Sequence, residues 1–193
     1  MAKKIVLVLA LVSMIAGGLA AQEKSAAVKK VWLSGEVSLV GAGARGEFML
    51  GPKMSLGLNA YWTSAFFFFN DIDINAVARF YPWGKKFYAG LGVGFGIHSG
   101  LSPVEGTWEV DGKEVKYPSS FGSYLVTLTG AAITPEVGWK IDIGKPGGFF
   151  INPLVQVPIT IGQEKAAVLI GPEPTRFGIG VGFRAACGFG WAF

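Results

Sequence analysis

From Thr175 to the end of the chain, Phe177, Ile179, Val181, Phe183, Ala185, Cys187, Phe189, Trp191 and Phe193 alternate with glycine, alanine or arginine. A strict period of two puts one kind of residue on each face of a β-strand, whereas a helix would mix the two sets around its circumference. The nineteen residues exceed the roughly 9–11 that cross a bilayer as a tilted strand. Five more segments carry the same alternation. They run through Met54–Thr63, Ile72–Tyr81, Phe87–His98, Ala131–Ile143 and Phe149–Ile161, with short turns at Gly51-Pro52-Lys53, Trp83-Gly84-Lys85-Lys86 and Gly144-Lys145-Pro146-Gly147-Gly148. Val31 to Leu50 is ambiguous. Its apolar residues occupy odd positions through Leu39 and even positions from Val40, which means either a bulge in one strand or a connection between two. Two strands there bring the total to eight, an even number. The pattern therefore predicts an all-β, antiparallel up-and-down transmembrane β-barrel of eight strands.

Loop lengths and aromatic positions orient such a barrel. The short turns suit a periplasmic end, and the long connections 99–120 and 162–174 an extracellular one. Trp32, Phe48, Phe80, Trp83, Phe87, Tyr88, Trp139, Phe149, Trp191 and Phe193 fall at the first end, Trp62 and Phe66 to Phe69 at the second. Two aromatic girdles are expected at the two membrane interfaces. Within the first long connection, Thr107–Val110, then Asp111-Gly112, then Lys113–Tyr117 predicts a projecting hairpin.

Composition agrees with alternation rather than with a soluble sandwich: 51% of residues are hydrophobic and 16% charged, yet no mature segment is apolar enough for a spanning helix. At the start, Lys3 and Lys4 precede an apolar run from Ile5 to Ile15 and the small residues Ala16 to Ala20, as in a secretory signal peptide cleaved after Ala20. The domain then covers 21–193. Without Lys3 and Lys4, 15 of the 17 basic residues face 13 acidic ones, which gives no reason to expect a nucleic-acid partner. Cys187 has no second cysteine to pair with.

Two segments resemble small, eight-stranded outer-membrane barrels of spirochaetes, broadly barrels of the OmpA, OmpX and OmpW kind. They are Arg79-Phe80-Tyr81-Pro82-Trp83-Gly84-Lys85-Lys86-Phe87-Tyr88-Ala89-Gly90-Leu91-Gly92, and Pro135 to Gly144 followed by Pro146 to Pro153. The resemblance implies an outer-membrane location, contact with outer-membrane lipid and a monomer. The closing Gly190-Trp191-Ala192-Phe193 fits the signal read by the barrel-assembly machinery, with Trp191 and Phe193 its aromatic elements. It implies location and shape, not a reaction.

Candidate chemistry is sparse. His98 is the single histidine, on the inward face near the outer rim beside Ser99, and adjacent strand positions point to opposite faces, so no catalytic residue is expected. A lipid-modifying enzyme is the third reading. One histidine and one outward cysteine make no metal site, and no cofactor is implied. Gly90, Gly92, Gly94 and Gly96 have the spacing of a strand face, not of a phosphate loop. The inward charges are more informative: Arg45, Glu47, Asp73, Arg79, Glu136, Lys140, Asp142, Arg176 and Arg184 are five basic and four acidic groups. Charges inside a narrow barrel should pair across strands, either as an inert plug or as the gate of a narrow channel for small or hydrophobic solutes. The outer loops offer Trp108 and Asp111 in the hairpin, and Val168, Leu169 and Ile170 in an apolar patch that packs on its neighbour or contacts an extracellular ligand. A structural or adhesin-like surface role through these loops is the primary expectation.

Overall fold

A computed structural model describes residues 31–65, 69–83, 86–118, 123–144, 148–167 and 172–193. The expected signal segment lies outside the described residues, as do Phe66 to Phe68 and the patch Val168 to Ile170.

Thirteen strands form one antiparallel sheet: β1 (Val31–Ser38), β2 (Gly41–Met49), β3 (Met54–Ala65), β4 (Phe69–Phe80), β5 (Phe87–Pro103), β6 (Gly106–Val110), β7 (Lys113–Tyr117), β8 (Ser123–Trp139), β9 (Ile141–Asp142), β10 (Phe149–Gln156), β11 (Ile159–Ala167), β12 (Thr175–Val181) and β13 (Arg184–Ala192). Pairing closes the sheet, because β13 bonds to β1 on one side and to β10 on the other. With β8 and β9, β10 and β11, and β12 and β13 each forming one stave, the wall has eight staves. It is an all-β, closed, antiparallel eight-stranded barrel. The joint between β10 and β11 falls at Val157-Pro158, where proline lacks a ladder donor, and the opposing joint falls at Gly182-Phe183. Gly182 N donates to Pro158 O across it at 2.8 Å.

The ambiguous segment is two strands joined by Leu39-Val40. Partners in this hairpin, from Val31–Phe48 to Ser38–Gly41, join odd to even positions, so outward residues must change parity across the turn. That is the phase change seen in the sequence. A bulge is not needed.

Registers also fix the stagger. Ile179 faces Ile161, which faces Ala131, and the line continues through Phe95, Ile74, Ala60, Ala44 and Gly35 to Phe189. One circuit returns to the same stave ten residues on, from 179 to 189, so the strands must tilt strongly, by about 40°. Side chains obey the alternation: Leu33, Val37, Phe48, Leu58, Leu91, Val93 and Phe189 are exposed outward, while Glu47, Asn59, Asn75, Arg79, Thr134 and Glu136 are buried inside. This inverts a soluble protein, whose core is apolar.

At the end of the long connections, β5 and β8 pair continuously to Pro103–Ser123, beyond the reach of β1 and β2. The hairpin β6–β7 forms where the sequence predicted it, with Asp111 at φ 50° and Gly112 at φ 75° in its turn. Strands β8 and β11 extend further than alternation suggested, to Ser123 and Ala167. There the inward positions become apolar: Val126 and Ala166 join Val104 and Trp108 in a small second core under the hairpin.

Candidate functional site

Three inward layers fill the lumen. The layer nearest the short turns is aromatic: Trp32, Tyr81, Tyr88 and Phe150 pack with Met49 and Ala192. Trp32 meets Tyr81 edge-on and Phe150 tilted, each with ring centroids 6.0 Å apart, and Tyr81 lies 5.4 Å from Tyr88. Lys140 threads into this layer with Nζ 3.1 Å from the Trp32 ring centroid, and it donates to Glu47 Oε2 at 2.7 Å. A cation over aromatic faces is favourable where water is absent. Trp32 and Tyr88, expected in a girdle, are therefore inside. Phe48, Phe80, Trp83, Trp139, Trp191 and Phe193 do point outward at that end. At the other end Trp62 points outward as expected.

Next comes the ionic layer. Glu136 on β8 accepts from Arg79 Nε at 2.5 Å, Gln156 Nε2 at 2.7 Å, Arg45 Nη2 at 3.2 Å and Asn59 Nδ2 at 3.3 Å. Arg45 Nε lies 2.7 Å from Glu36, and Arg79 Nη1 lies 3.5 Å from Glu47. The Tyr81 and Ser55 hydroxyls donate to Glu47, and Arg45 donates to the Tyr88 hydroxyl at 2.6 Å. Arg45, Arg79 and Lys140 thus face Glu36, Glu47 and Glu136, three charges of each sign, all buried. Equal numbers matter because an unbalanced charge in so dry a space would be costly.

Above it, Arg184 donates to Asp73 Oδ2 at 2.5 Å and to Gln156 Oε1 at 3.1 Å, and its guanidinium lies 3.8 Å from the Tyr61 ring centroid. His98 then bridges the wall: Nδ1 is 3.1 Å from Asp71, and Nε2 is 2.5 Å from the Thr160 hydroxyl and 3.7 Å from Asp73 Oδ1. Hydroxyl, imidazole and carboxylate are in the order of an acyl-transfer relay. Thr160, however, is fully buried, so its oxygen meets no incoming carbonyl in this geometry.

Of the nine charges expected in the lumen, seven are buried there. Asp142 is a correction: β9 stays paired with β10, with Asp142 opposite Phe150, but it runs past the last β5 partner at Trp139, so Asp142 is exposed at the rim. Arg176 is also displaced, to the far rim, where it pairs with Glu164 at 2.5 Å, donates to Glu105 O at 3.2 Å and stacks on Trp108 at 4.2 Å. The sequence reading missed Glu36 and Glu164, and it weighed Asp71, with Asp73 and Asp111, only as an acid available for a rim constellation with His98. Glu36 was legible, since Val31, Leu33 and Val37 set the outward parity of β1 and place it inward. Trp108, expected as a surface contact, is buried, with Nε1 donating to Glu105 O at 2.9 Å; Asp111 sits in the exposed turn. Among the described residues no group of three or more His, Cys, Asp or Glu could hold a metal ion.

No family model, no curated protein and no solved structure matches the chain. The fold itself defines the class, a small closed β-barrel with a polar filled interior and an apolar outer wall.

Proposed function

We propose that this protein is an integral outer-membrane barrel with a closed lumen, acting at the cell surface through its outer extension rather than as a pore. The inverted wall supports the membrane setting. Apolar residues outside and polar groups with paired charges inside suit a lipid solvent, and closure leaves most strand edges paired. In this reading the N-terminal segment exports the chain, the outward Trp191 and Phe193 present the assembly signal, and the short turns face the periplasm. The resemblance to spirochaetal barrels points the same way.

The observation that carries the closed lumen is the stacking of the aromatic layer directly under the balanced ionic layer. A hydrated ion would have to displace Lys140 from the Trp32 ring and separate Arg79 from Glu136, all buried groups. At the other end, Val104, Trp108, Val126 and Ala166 hold the hairpin against β8 and β11, which favours an ordered outer platform for surface contacts. Single-channel recording on the refolded mature chain in a planar bilayer tests this. We expect silence from protein whose folding is verified. Steady openings, with ion selectivity altered in an Arg79→Ala, Arg184→Ala double variant, would overturn the proposal and make the ionic layer a gate.

A further inference from the structure

Among the described residues, the barrel wall is incomplete on one side. β1 accompanies the last stave only from Trp32–Ala192 to Val37–Cys187 and then turns away at Leu39-Val40. Strand β12 continues upward, paired with β11 along its whole length. On its other edge, among the described residues, it meets only Glu109, at Thr175. Backbone groups in antiparallel strands alternate in direction. Pro174 O and Gly182 N both bond toward β11, so even-numbered residues face that strand, and the amides and carbonyls of Phe177, Ile179 and Val181 face the gap. Unpaired backbone groups are not tolerated in hydrocarbon. The gap begins beside the β1–β2 tip, whose Ala42 faces the outward Trp62, an interfacial aromatic. This notch therefore opens at the level of lipid head groups.

Behind it lies a cavity of about 400 Å³. Gly180, Val181, Gly182 and Phe183 form its notch side, and Asp71, His98 and Glu164 its charged lining, with Glu164 held by Arg176 at the rim and Asp71 3.1 Å from His98. Gly100, Gly180 and Gly182 contribute no side chains to its lining. Below, Asp73 Oδ1 is buried without a hydrogen bond. Outside the notch, Phe177, Ile179, Val181 and Phe183 form an exposed apolar ridge.

We infer that the notch admits an amphiphile from the outer leaflet, with an amine-bearing head group in the cavity against Asp71 and an acyl chain along the Phe177–Phe183 ridge. Asp71, with the unbonded Asp73 Oδ1 below it, selects the amine, the ridge takes the chain, and head-group donors and acceptors serve the unpaired edge. The volume fits a head group, not a whole lipid. This inference rests on the outer-membrane reading above.

His98, the single histidine, gives one imidazole signal and so reports on the cavity directly. The full mature barrel, labelled at histidine and held in phosphatidylcholine nanodiscs, is titrated with dodecylamine, and in parallel with dodecanoate. We expect a saturable shift of the His98 signal with the amine, at least about tenfold tighter than with the acid. Ser102→Trp, which fills the cavity wall, and Gly180→Leu, which fills the cavity beside Leu128, should each abolish saturation, and Asp71→Asn should weaken it. A shift that rises without saturating, or that is equal in the filled variants, overturns the inference. So does a dimer formed through the free β12 edge with no response to the amine. Heat-dependent gel mobility reports insertion separately, so a chain that fails to enter the nanodisc refutes the membrane reading, whereas an inserted chain indifferent to amine refutes only the site.

Discussion

Glu136→Gln is the sharpest perturbation of the filled lumen. The carboxylate holds two guanidiniums and two amides, and removing its charge leaves three cations facing two anions. Losing one partner of a buried pair costs about 3–5 kcal/mol. Two features place this case at the lower end. Arg45 keeps Glu36 at 2.7 Å and Arg79 keeps Glu47 at 3.5 Å, and the glutamine oxygen still accepts a hydrogen bond. The expected loss is about 3 kcal/mol. Urea unfolding from lipid vesicles, followed by tryptophan fluorescence and gel mobility, measures it as a lower midpoint at unchanged slope. Adding Arg79→Met removes one excess cation and should restore part of the loss, because charge balance rather than any one contact is at stake. A single-variant loss under about 1 kcal/mol would refute the reasoning, since pairs that weak behave as water-screened surface pairs.

The remaining expectations concern other parts of the barrel. Gly130→Ala places a Cβ 2.1 Å from Ile161 O and should cost about 1–3 kcal/mol in the same assay, whereas Gly35→Ala, with nothing within 4 Å, should be neutral. Equal effects would mean that the inward and outward assignments are wrong. Trp108→Ala should leave the barrel midpoint unchanged but expose the hairpin to protease between Gly106 and Tyr117, because Trp108 packs between the second core and Arg176. An unchanged digest would deny that packing its role. Cys187, outward and partly covered, should react with a water-soluble maleimide only after denaturation; rapid labelling of the inserted protein would place it in contact with water.

Much of this architecture was legible because alternation is a one-bit code per residue, and an apolar outer wall around a polar interior writes that code without interruption. It failed where the environment changes. In β8 above Gly130 the inward residues Leu128 and Val126 are apolar and the outward Thr129 and Thr127 polar, so alternation put the start of the strand at Ala131, although its pairing with β5 continues to Ser123. The β1–β2 turn carried no signal, since Leu39-Val40 includes neither glycine nor asparagine and neither residue has positive φ. Ser38 holds it instead, its hydroxyl accepting from Val40 N at 3.4 Å. Parity gave the inward direction of Arg79 and Glu136, but not which charges would meet, because that depends on stagger around the barrel. Asp142 was misplaced for a related reason: parity gives the face but not the height, and β9, paired with β10 alone, lies beyond the last β5 partner at the rim, where an inward position is exposed.

Val31 and Phe193 face each other across the closing seam, with Phe193 N donating to Val31 O at 2.8 Å and Val31 N to Phe193 O at 3.4 Å. Every other pair of wall neighbours is adjacent in stave order, so each can form as the chain lengthens, at the modest entropy of a short loop. The seam alone joins the two ends of the domain. A sheet waiting for it has two open edges and an apolar outer face, the combination most prone to pairing with other chains. Docking of the last strand is therefore a latch, and the time it takes sets how long the nascent barrel is exposed to misassembly.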